Sequence, residues 1–70
     1  MRNFQQDPPS PGDKVVLVCD DGCTAFIALR TGGAFLLAED AMEIDSWTLE
    51  SVNGWFLLPA DYSSAFMETD

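Results

Sequence analysis

The residues in this chain that could do chemistry are carboxylates and two thiols. The sequence holds twelve Asp or Glu, three Lys or Arg, two Cys and no His. Without an imidazole there is no Ser-His-Asp or Cys-His catalysis and no histidine metal ligand. Cys19 and Cys23 flank Asp20-Asp21-Gly22. If they face each other across a turn, a cross-strand disulfide is geometrically open to them; otherwise they stand as two reduced thiols. A thiolate metal site would need two further soft ligands, which the sequence lacks. The acidic runs at 20–21 and 39–45 lack the ligand spacing of a calcium loop. Gly32-Gly33 is an isolated pair without a phosphate-binding signature. The sequence therefore reads as a non-enzyme with no metal and no cofactor.

The charge balance narrows the reading further. A formal net charge of −9 and a pI near 4.1 accompany a hydrophobic content of 47% in 70 residues. Acidic disordered tails are poor in apolar residues, so this composition indicates a single small folded domain. Self-repulsion opposes compaction, and the charge exceeds the magnitude of about 2–8 that suffices to keep a small domain soluble. Three cations cannot neutralise a phosphate track, so direct nucleic-acid binding is not expected. Unbroken apolar runs such as 15–19 and 25–29 are five residues long at most and fall far short of the ~20 residues of a membrane span. The N-terminus shows no signal-peptide core, which points to the cytoplasm and to reduced thiols.

The elements that must carry these groups follow from short-range pattern. Residues 1–13 contain Asp7-Pro8-Pro9-Ser10-Pro11-Gly12-Asp13 and are expected as an extended arm turning at Pro11-Gly12, with the domain proper covering 14–70. Lys-Val-Val-Leu-Val-Cys at 14–19 is β-branched and short, hence a strand. Asp20-Asp21-Gly22 reads as a three-residue hairpin loop with Gly22 left-handed, which would set Cys19 opposite Cys23, Leu17 opposite Ala25 and Val15 opposite Ile27. Strands at 24–31 and 34–38 flank a Gly32-Gly33 turn. Residues 39–45 favour one or two helical turns, with a loop as the alternative. A strand at 46–52, an Asn53-Gly54 hairpin, a strand at 55–58 stopped by Pro59, and a brief helix at 62–67 pairing Tyr62 with Phe66 complete the reading. The expected fold is mainly β: a small antiparallel meander sheet of about five strands with one or two short helices.

Placed on that meander, the charge acquires a location. Asp20, Asp21, Glu39, Asp40, Glu43, Asp45 and Glu50 fall in a stretch whose only base is Arg30. The 20–21 turn and the 39–45 connection would share one end of the sheet, forming a continuous negative surface. Carboxylates at i and i+2 on a strand lie about 6.6–6.8 Å apart, close to the phosphate repeat of a nucleic-acid strand. Such a surface can compete for a cationic groove and is steered by charge. Trp47, Trp55, Phe26, Phe35 and Phe56 read mostly as core, but adjacent Trp55 and Phe56 must point to opposite faces, so one ring can be exposed as an interface anchor.

Two resemblances add to this. Pro8-Pro9-Ser10-Pro11-Gly12-Asp13-Lys14-Val15-Val16-Leu17-Val18, Gly33-Ala34-Phe35 and Val52-Asn53-Gly54-Trp55-Phe56-Leu57-Leu58-Pro59 resemble a short prophage domain family of unknown function, departing from it where Phe56-Leu57 follows Trp55 in place of proline. That likeness implies a phage origin and a β-rich fold, without an activity. In size, acidity and lack of catalytic residues the chain also resembles the phage-encoded anti-CRISPR proteins that inhibit type I surveillance complexes, possible type I-C inhibitors among them. That group shares no motif, so no motif selects residues here. The resemblance implies a monomeric DNA mimic acting in the cytoplasm of an infected bacterial host. Its partner would be a basic subunit surface of a Cascade-type CRISPR effector, with no membrane involved and the seven carboxylates as the contact set. The alternative expectation is a phage accessory or structural interaction domain whose acidic face only solvates it.

Overall fold

The computed structural model describes residues 1–59 and 61. Strands β1 (Arg2–Asn3), β2 (Lys14–Cys19), β3 (Ala25–Arg30), β4 (Phe35–Leu37) and β5 (Val52–Leu57) form one antiparallel sheet of order β1-β5-β2-β3-β4. A single short helix among the described residues, α1 (Ser46–Leu49), precedes β5. The mainly β architecture is the one expected. Its connectivity is richer than a meander: β2, β3 and β4 follow one another, then β5 returns across the sheet to the free side of β2, the spatial order of a Greek key.

The core follows from period-two alternation on β2, where Val15, Leu17 and Cys19 are buried and Val16 and Val18 are half-buried. Ala28, Phe35, Ile44, Val52 and Trp55 complete the same cluster. Burying an indole such as Trp55 contributes roughly 4–6 kcal/mol before entropy is charged against it. The sheet curls around this cluster. Phe4, just after β1, and Phe35, on β4 at the opposite flank, bring their rings to 5.5 Å. The N-terminal arm closes the open side, with Trp55 Nε1 donating to the Asp7 carbonyl at 2.6 Å and Arg30 Nη1 to the Pro9 carbonyl at 2.7 Å.

Four local expectations are corrected. The 46–52 segment begins as α1 and not as a strand, because Asp45 caps it: the Asp45 backbone is extended and its carboxylate accepts the Thr48 N–H at 2.7 Å. The preceding residues 39–45 form no helix and take the loop alternative, with a single turn closed by the Ala41 N–H to the Leu37 carbonyl at 2.9 Å. Asn53-Gly54 lies inside β5 and makes no hairpin. Gly54 is needed there because a Cβ would meet the Met1 side chain at 2.8 Å and the Arg2 carbonyl at 2.9 Å, and the ladder with β2 shifts register beside it. Finally, β2 and β3 pair one residue away from the expected register, Leu17 opposite Phe26 and Val15 opposite Ala28. The closing pair is Cys19 with Thr24, through Cys19 N–H to the Thr24 carbonyl at 2.9 Å, so the loop has four residues and Cys23 belongs to it. One residue of slip moves Ala25 and Ile27 to the outer face. Gly22 is left-handed as expected, at φ +74, and so is Gly12 at the end of the arm, at φ +93. The helix expected at 62–67 lies outside the described residues.

Candidate interaction surface

The Asp20–Cys23 loop is organised by one carboxylate. Asp21 accepts the backbone N–H groups of Cys23 at 2.8 Å and Thr24 at 2.9 Å, and the Thr24 hydroxyl at 2.8 Å. The Cys23 N–H, then the two Thr24 donors, hold the Asp21 carboxyl below the usual aspartate range. Asp45 is lowered in the same way by the Thr48 N–H and hydroxyl. Asp40 accepts the Met42 N–H at 3.0 Å in a local turn. The side chains of Asp20, Glu39, Glu43 and Glu50 make no hydrogen bond among the described residues, and all seven carboxylates are exposed.

The sheet brings five of the seven together. Asp20 and Asp21 cap the end where β2 stops and β3 starts. Glu50 joins them, since the Asp20 N–H bonds to the Ser51 carbonyl at 2.8 Å. Glu39 stands beside Ala25, Phe26 and Ile27 at the same end, with Asp40 next to it. Glu43 and Asp45 do not belong to that cluster. β4 has only three residues, and after it the chain doubles back along the outer edge, pairing Leu36 with Glu43 and bonding Ile44 N–H to the Phe35 carbonyl at 2.8 Å. That reversal carries Glu43 and Asp45 toward the opposite end, so the expected single surface is an acidic end with a tail running down one edge.

The cations are segregated from this end. Lys14 opens β2, a strand length of roughly 20 Å from Asp20. Arg30 closes β3 at Lys14's end of the sheet, where its guanidinium donates to the Pro9, Thr31 and Gly32 carbonyls at 2.7, 3.0 and 3.4 Å and lies 5.4 Å from the Phe35 ring centre. Arg2 is 3.8 Å from Asp7 and stacks 5.0 Å from the Trp55 ring centre. No cation among the described residues is placed to neutralise the acidic end.

Cys19 and Cys23 are both free, the first buried and the second exposed. Burial, reinforced by Asp21 and Asp20, pushes the Cys19 thiol up, which favours its protonated form. Among the described residues no group of three or more His, Cys, Asp or Glu could hold a metal ion, and no helix is long and apolar enough to cross a membrane. Of the adjacent rings, Trp55 is buried and Phe56 is 43% exposed, as the alternation required. Trp47, expected in the core, is instead 77% exposed on α1, and Met42 is 62% exposed in the same acidic connection. Reading Asp45 as an N-cap would have freed Trp47 from the sheet pattern. The outer sheet face carries half-buried Val16, Val18, Ile27, Leu29 and Leu36 beside Phe56. Compared with protein families, curated proteins and solved structures, the chain matches none of them.

Proposed function

We propose that this chain is a small acidic inhibitor that occupies a basic nucleic-acid-binding surface of a bacterial defence complex and blocks DNA binding by mimicry. The observation that supports this reading is the segregation of charge: Asp20, Asp21, Glu39, Asp40 and Glu50 gather at one end of a well-cored sheet while every described cation sits elsewhere. Charge held that close together destabilises the fold, and a cationic partner relieves the repulsion. The target that the profile resemblance suggests is a subunit of a type I CRISPR effector. The mechanism is steric and electrostatic: carboxylates take the place of phosphates, and nothing is cleaved or modified.

The test is competition for DNA binding to a purified type I effector, at two salt concentrations, with a triple variant Asp20→Lys, Glu39→Lys, Glu50→Lys. These side chains hold no described hydrogen bond, so the fold survives the change. The wild type should inhibit less at high salt, and the triple variant should not inhibit at all. Equal inhibition by both proteins, insensitive to salt, would sink the reading. A second reading, a phage accessory domain that assembles through the outer face, draws on the exposed Phe56 and its apolar neighbours. Sedimentation that shows a concentration-dependent dimer abolished by Phe56→Glu, together with no inhibition, would favour it.

A further inference from the structure

β4 pairs with only Ala28, Leu29 and Arg30 of β3, and the last rung is the Ala38 N–H to the Ile27 carbonyl at 2.9 Å. The chain then turns away. The Ala41 N–H bonds back to the Leu37 carbonyl at 2.9 Å, and Ala41 adopts φ 60, a left-handed conformation unusual for alanine. The first half of β3 is left beside a groove of about 310 Å³ lined by Ala25, Phe26, Ile27, Leu37, Ala38 and Glu39. Strand geometry dictates which backbone groups face it. The bond from Cys19 N–H to the Thr24 carbonyl directs Thr24, and by alternation Phe26, toward β2. Ala25 and Ile27 therefore point into the groove. Among the described residues nothing pairs with the Ala25 N–H or carbonyl, or with the Ile27 N–H.

We propose that this notch is a strand-addition site that takes a short extended segment, alternating apolar and basic, from the partner protein. This rests on the acidic-docking reading above and specifies how the partner is held. Unpaired strand-edge donors and acceptors are satisfied by a main chain in the extended conformation, which a compact ligand does not supply. The notch is three residues long, about 10 Å, matching a segment of three to five residues. Glu39 in its wall, Asp40 beside it and Asp20 and Asp21 beyond the start of β3 select basic over acidic side chains on the incoming strand. The turn at Ala41 keeps the notch open by preventing β4 from extending into it.

The experiment uses two peptides, acetyl-Lys-Val-Lys-Val-Lys-amide and the same peptide with both valine nitrogens methylated, titrated into the full chain at low and high salt. Side chains and charge are identical, but only the first can donate through its valines. Strand addition predicts that methylation weakens binding by about tenfold or more. It also predicts that the Ala25 and Ile27 amides become protected from hydrogen exchange only with the unmethylated peptide. Ala25→Pro removes an N–H that the β2 ladder does not use and should reduce both peptides to the same weak binding. Equal, salt-sensitive binding of both peptides to the wild type overturns strand addition and leaves charge-driven docking standing. No salt-sensitive binding of either peptide overturns both.

Discussion

The two ends of the sheet use charge in opposite ways. At the end where β2 begins, Arg30 is absorbed into the fold, its guanidinium joining the arm, the β3–β4 turn and the Phe35 ring. The backbone there is tied as well, through Gly12 N–H to the Arg30 carbonyl at 2.7 Å and Arg30 N–H to the Asp13 carbonyl at 2.9 Å. At the other end the carboxylates either organise their own loops, as Asp21 and Asp40 do, or hold no hydrogen bond, as with Asp20, Glu39 and Glu50. A charge that the fold needs is enclosed by partners in three segments, while a charge presented outward is left without any. The contrast gives a criterion for separating the stabilising end from the docking end that does not depend on the number of charges.

The sharpest way to break the contrast is Arg30→Gln. It removes charge-assisted hydrogen bonds to three carbonyls and should cost about 2–3 kcal/mol, read as a lower midpoint in urea. A cost no larger than that of Glu39→Gln would erase the distinction between the ends. A smaller effect of opposite sign is expected at the acidic end. Ala41→Gly relieves a left-handed alanine, and should raise stability by about 1 kcal/mol in the same measurement. Destabilisation by that change would mean that Ala41 Cβ makes a contact outweighing its strain.

Much of this contrast is legible in the sequence, but not its shape. The alternation of Val15, Leu17 and Cys19 identifies β2 and the face it buries, and the left-handed Gly22 locates the first hairpin. The register was not legible, because Asp20-Asp21-Gly22 is compatible with loops of three or four residues. The choice falls to Asp21, whose carboxylate gathers donors as far along as Thr24. Asn53-Gly54 carries a strong hairpin signal, yet the glycine serves a close approach by Met1 and Arg2, a long-range contact that no local pattern encodes. The same holds for Glu43 and Asp45. Their displacement from the acidic end depends on β4 stopping after three residues and reversing at Ala41, which alanine does not announce.

Acid titration distinguishes the two ends with the smallest effect and the clearest sign. Asp45 and Asp21 have folded pKa values below the ordinary ~3.9 of aspartate, because backbone N–H groups stabilise their ionised forms. Such a group contributes stability that is fully present above the unfolded value and is lost as pH falls through the folded value. Asp45→Ala should therefore lower Tm by a few degrees at pH 7, and the gap from wild type should close as pH falls below about 4. Asp21→Ala should behave likewise. Arg30→Gln should not, because the acceptors it loses contact with are backbone carbonyls, which do not titrate in this range. Melting curves of the three variants from pH 7 down to the acid limit of folding make the comparison. A gap for Arg30→Gln that closes in step with that for Asp21→Ala would show that both ends are held by titrating carboxylates, and that the division between a stapled end and an outward-facing one is not real.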